Sequence, residues 1–151
     1  MILTRRQALA LSLGATTLAV VGVAPTRSWA SAEATEKAVM AFTGGAKPEA
    51  GRIALDAPEI AENGNTVPIS VSVDSPMTAD DYVQSVMFLA EGNPNPDVAT
   101  FHFTPMSGSA SATTRIRLAK TQNVIAVAKM SNGAVFMDTK QVKVTIGGCG
   151  G

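Results

Sequence analysis

Val67-Pro68-Ile69-Ser70-Val71-Ser72-Val73-Asp74 decides the fold. Val67, Ile69, Val71 and Val73 alternate with Pro68, Ser70, Ser72 and Asp74. Successive side chains of an extended chain point to opposite faces, so four β-branched residues share one face and polar residues the other. This is a half-buried strand, and Pro68 near its start favours an edge position or the first residues of the strand.

The same period recurs on both sides. Upstream, Ile53 and Leu55 mark a short strand, and Glu62-Asn63-Gly64-Asn65 reads as a turn. Downstream of a loop at 75–81, the run Tyr82 to Ala90 contains Val86-Met87-Phe88-Leu89-Ala90, apolar on both faces. Such a strand needs cover on both sides, from the chain's own helix or loops or from a partner subunit. Residues 91–97 form a polar, proline-rich connection. Phe101 and Phe103 then share one strand face, opposite Thr100, His102 and Thr104.

Met106 to Thr113 is small and polar and reads as a loop. Thr114, Ile116 and Leu118 alternate with Thr113, Arg115 and Arg117. Asn123 to Met130 is a further apolar strand, followed by the Asn132-Gly133 hairpin signal. The last strand starts at Ala134, with Val142, Val144 and Ile146 inward and Gln141, Lys143 and Thr145 outward. About seven strands with little helix predict an all-β, immunoglobulin-like β-sandwich over 51–146, with a small closed barrel as the runner-up. The inter-sheet disulfide and core tryptophan of antibody domains are absent, since the chain has one cysteine and its one tryptophan is Trp29.

Residues 31–50 read as a short N-terminal helix and a linker. The helix covers 33–43, capped by Ser31 or Thr35, with Ala38, Val39 and Phe42 on one face and Gly44-Gly45 ending it. Residues 1–30 read as an address. Arg5 and Arg6 precede an apolar run from Ala8 to Ala24, and Ser28-Trp29-Ala30 fits a small-residue cleavage site. The run is short of the ~20 residues of a membrane span. It resembles a Tat export signal, with Ala8 where Phe is commonest. Cleavage is expected after Ala30, with Ala32 as the alternative, and the mature protein is expected in the periplasm and off the membrane.

Twelve basic and twelve acidic residues balance over the 151-residue chain. The first thirty residues hold three arginines and no acid, so the mature chain keeps nine basic and twelve acidic residues, a net of −3. Its cations are scattered, which gives no footprint for nucleic acid. One His and one Cys make no metal-ligand cluster, and no cofactor is expected. His102 is the one candidate base of a hydrolase, more plainly a solvated strand residue. Met87, Met106, Met130 and Met137 raise a soft copper(I) site, but methionine as filler suits an aromatic-poor core. Arg115 and Arg117 share a face able to hold an anion, though such a pair is more often solvated.

This leaves Gly147-Gly148-Cys149-Gly150-Gly151, which holds the single cysteine. Glycine samples most backbone angles, so 147–151 is expected to be a flexible, exposed arm. From an anchor at Ile146, three residues reach ~10 Å. The nearest basic residue along the chain is Lys143, and the thiol is expected near its ordinary pKa of ~8.5. Activation is therefore left to whatever pocket the arm enters.

An Arg5-Arg6 leader, a β-sandwich and the Gly-Gly-Cys-Gly-Gly sequence together resemble the SoxY family, the sulfur carriers of the bacterial Sox thiosulfate-oxidation system. The resemblance implies that Cys149 is the covalent sulfur attachment point, to which thiosulfate is oxidatively conjugated. It implies a non-catalytic carrier subunit paired with a SoxZ-like sandwich subunit. It further implies transient partners: a SoxAX-type cytochrome, a SoxB-type thiohydrolase and, where present, a sulfane dehydrogenase. Three other readings stand beside it. One is an interaction module whose Cys149 forms an intermolecular disulfide, for instance Cys149 to Cys149 between copies. Another is a thiocarboxylate carrier acting through Gly151. The third is a periplasmic hydrolase using His102.

Overall fold

Burial follows the alternation at the decisive stretch. In β3 (Val67–Val73) the four β-branched residues are buried and Pro68 and Ser72 exposed. β3 lies between β1 (Ile53–Asp56) and β6 (Ala110–Ile116) in a three-stranded antiparallel sheet. It is therefore central, not an edge. Pro68 is its second residue, where a missing N–H costs the ladder least.

The computed structural model describes residues 29–148. A second sheet has five strands in the order β2 (Ile60–Asn63), β8 (Val135–Ile146), β7 (Gln122–Met130), β4 (Val83–Ala90) and β5 (Asp97–His102). Its pairs are antiparallel except β2–β8, which run parallel. The sheets face each other over one core. Val67, Ile69 and Val71 meet Val86, Phe88, Ala90, Val124, Ala126, Ala128 and Val142 there. Phe88 and Phe101 stack edge to face at 5.8 Å between centroids. The architecture is the expected all-β sandwich with a short N-terminal helix, and the strands among the described residues number eight.

Two strands differ from the sequence reading. Residues 62–63, read as part of a turn, complete β2, which adds to the edge of β8. β6 begins at Ala110, inside the expected loop, because Ala110 and Ala112 face the core while Ser111 between them is exposed. The final strand also departs from its pattern. Val142 is buried, but Ile146 is 67% exposed, because β8 runs past the end of the core.

The outer face of the five-stranded sheet is covered by the chain itself. Met87 and Leu89 of β4, with Val127 and Val135, form a second cluster. Ala38, Val39 and Phe42 of helix α1 (Trp29–Thr43) pack on it. The two-sided apolar strand is thus satisfied within the chain, and its composition no longer argues for a partner. α1 starts four residues earlier than expected, which places Ser31 and Thr35 inside it and not at its cap. It ends as expected: Gly44 and Gly45 take φ of 67° and 88°, and Gly45 N–H donates back to Met40 O at 3.0 Å. On its exposed side Lys37 bonds Glu33 at 2.9 Å, which lowers the Glu33 pKa and raises that of Lys37. No helix among the described residues is long and apolar enough to cross a membrane.

Candidate functional site

The residues leading to Cys149 are held by backbone. Beyond β8 the chain passes between the turn after β2 and the loop that joins β6 to β7. Gly64 N–H donates to Ile146 O at 2.7 Å, and Gly148 N–H donates to Leu118 O at 2.9 Å. Leu118 N–H in turn donates to Gly64 O at 2.8 Å, so the three segments are bonded to one another. Gly148 is buried. Of the arm expected over 147–151, the structure describes Gly147 and Gly148, and these two are in contact with the sandwich.

The glycines are needed for proximity. None of Gly64, Gly147 and Gly148 has a positive φ. A Cβ on Gly64 would overlap Leu118 O and lie 2.7 Å from Gly148 N. A Cβ on Gly147 would overlap Ala119 O, and one on Gly148 would lie 2.8 Å from Gly64 O. Any side chain at these positions would push the segments apart.

Buried amides brace the loop from behind. The Asn93 side chain, 4% exposed, donates to Arg117 O at 2.8 Å and accepts from Ala119 N–H at 3.0 Å. Its oxygen also accepts from Gln122 Nε2 at 2.9 Å, while Gln122 Oε1 accepts from Gly92 N–H at 2.7 Å. Thr121 Oγ1 accepts from Val144 N–H at 2.9 Å, tying the loop to the last residues of β8.

Arg5, Arg6, Cys149, Gly150 and Gly151 lie outside the described residues. Ala30 lies in the first turn of α1. His102 is exposed at the end of β5, and its side chain makes no hydrogen bond or ion pair to a described residue. Arg115 and Arg117 are exposed. The methionines are dispersed: Met130 is in the main core, Met87 and Met137 are under the helix, and Met106 is 96% exposed. Among the described residues no three His, Cys, Asp or Glu side chains are grouped to hold a metal ion. Sequence reading missed Gly64, Asn93, Thr121 and Gln122. The partners that join them to other segments lie at least 23 residues away along the chain, and no local pattern carries such contacts.

The family model for sulfur oxidation protein SoxY matches residues 39–149. The chain belongs to the SoxY family. The matched span includes both sheets and the braced loop, and its last residue is Cys149. Among solved structures, the sulfur carrier protein SoxY from Chlorobium limicola f thiosulfatophilum is 32% identical with a TM-score of 0.62, covering 76% of this chain and 99% of that one. A superoxide reductase (neelaredoxin) from Ignicoccus hospitalis is 23% identical with a TM-score of 0.56, covering 64% of this chain and 82% of that one. A putative superoxide reductase from Thermotoga maritima is 19% identical at 0.53, covering 68% and 89%. The two reductases share the fold with this SoxY-family chain and inform nothing further. No curated protein matches the chain.

Proposed function

We propose that the chain is a sulfur carrier that holds its cargo covalently on Cys149. The observation that carries this reading is the family match, which ends on Cys149, the only cysteine in the sequence. A thiol that pairs with no other cysteine of its own chain is free for reversible covalent loading.

The chemistry balances with an external electron acceptor. The Cys149 thiol and thiosulfate form an S–S bond, giving a cysteine S-thiosulfonate, one proton and two electrons. The electrons pass to a SoxAX-type cytochrome. A SoxB-type thiohydrolase then adds water across the S–SO3 bond, releasing sulfate and leaving a persulfide on Cys149. A sulfane dehydrogenase oxidises that sulfur where present. The chain itself supplies the attachment point and the handle. Its stable partner in this reading is a SoxZ-like sandwich subunit. The Arg5-Arg6 leader sends it to the periplasm by the Tat route, with cleavage after Ala30, which would trim the first turn of α1.

Intact-protein mass spectrometry after turnover with thiosulfate and the partner proteins tests the proposal. Reductant-labile sulfur increments confined to the C-terminal peptide, and lost in Cys149→Ser, are expected. Unmodified thiol or a simple disulfide dimer as the only species would overturn it, and sulfur on the Gly151 carboxylate would favour a thiocarboxylate carrier.

A further inference from the structure

We infer that Gly64 and the loop Arg117–Gln122, braced by Asn93, form a backbone clamp that holds the chain at Gly147 and Gly148, immediately before the carrier cysteine. The inference rests on the carrier reading for its use, and on described residues for its geometry.

Three observations meet at the clamp. The first is the set of bonds linking Gly64, Leu118, Ile146 and Gly148. One of these, from Gly148 N–H to Leu118 O, lies beyond the last residue of β8, where the sheet ladder no longer requires it. The second is steric. Glycine at 64, 147 and 148 allows a three-segment approach that any Cβ would prevent, and none of the three is needed for a turn conformation. The third is the brace. Asn93 and Gln122, 4% and 6% exposed, direct their side-chain amides into Gly92, Arg117, Ala119 and Lys120 backbone groups and into each other. A buried polar network of this kind fixes one loop conformation, because each member left unpaired carries a desolvation cost. The loop so fixed presents the Leu118 and Ala119 carbonyls to the two glycines.

The clamp changes the reach of the cargo. With Ile146 as anchor, the attachment residue lies three residues out and can travel ~10 Å. With Gly148 as anchor it lies one residue out, about 3.8 Å between Cα atoms by covalent geometry. Gly148, the residue before Cys149, is held at the β2–β8 end of the sandwich, against the Gly64–Asn65 turn and the Leu118–Lys120 loop. A partner enzyme must bring its pocket up to that end, and Gly64, Asn93 and Gln122 act as positioning residues for the transfer.

Backbone 15N relaxation on the full reduced chain tests this. In the wild type, Gly147 and Gly148 should give order parameters of about 0.85, like β8. Gly64→Ala should lower the values at Gly147 and Gly148 while amide protection in β3 and β7 is unchanged. The same variant should raise severalfold the rate ratio for a dextran-linked maleimide over iodoacetamide at Cys149, a ratio insensitive to the thiol pKa. Wild-type order parameters below about 0.6 at Gly147 and Gly148 would overturn the clamp, and this needs no variant to fold. Thiosulfate loading is read separately by mass: a clamped chain that never loads overturns the carrier reading alone, and a loading chain with mobile Gly147 and Gly148 overturns the clamp alone.

Discussion

Asn93 sits in a polar, proline-rich connection, yet it is buried, and each hydrogen bond of its side chain runs to the loop between β6 and β7 or to its brace. Asn93→Ala would leave the Arg117 carbonyl and the Ala119 N–H without their partner. A buried group left unsatisfied costs ~1–3 kcal/mol, so a fall of that size in unfolding free energy is expected from denaturant titration. Phe88→Ala belongs to a different mechanism. Phe88 is fully buried and stacks on Phe101, and its removal should cost ~3–5 kcal/mol through a cavity at the centre of the sandwich. Only the second was legible in the sequence, because an apolar residue in an alternating run declares its face. An asparagine next to Gly92 and Pro94 looks like loop chemistry whichever way it points. The close approach at Gly147 and Gly148 was hidden for a related reason: glycine serves both conformational freedom and close approach, and composition does not separate the two.

At the scale of elements, the strongly periodic strands were readable and the weakly periodic ones were not. β3, β4 and β7 carry β-branched and large apolar residues on a fixed face. β2 has four residues and buries only Ala61, so its place is set by pairing with β8 and not by its own pattern. β6 shows the core only alanines over its first half, which reads as loop composition. The helix illustrates the converse case. Ala38, Val39 and Phe42 announced an apolar face, but which surface it covers is a tertiary fact. Phe42→Asp should loosen α1 from the sheet and uncover Met87, Leu89, Val127 and Val135. Increased binding of a hydrophobic dye and concentration-dependent association by light scattering are the expected readouts, with strand content by circular dichroism retained.

For the whole molecule, the carrier reading divides the chain into a sandwich that holds shape and a residue that holds cargo, and the division has a thermodynamic consequence. The core lies between the sheets and the second cluster under α1, while the clamp closes at Gly148, one residue before the cysteine. No bond that holds the fold together among the described residues therefore requires a side chain at 149. Cys149→Ser should change unfolding stability by no more than ~0.5 kcal/mol, the range of substitutions away from structural features, while abolishing every sulfur increment. Gly148→Ala should do the reverse in kind. Its Cβ would press on the Gly64 carbonyl, so it should lower stability by ~1–3 kcal/mol, as overpacking does, yet leave the thiol open to alkylation. Thermal melts of the two variants, run beside thiol titration, separate cargo from handle. If Cys149→Ser instead lowered the melting temperature by several degrees, the cysteine would be part of the structure and the division between arm and sandwich would fail.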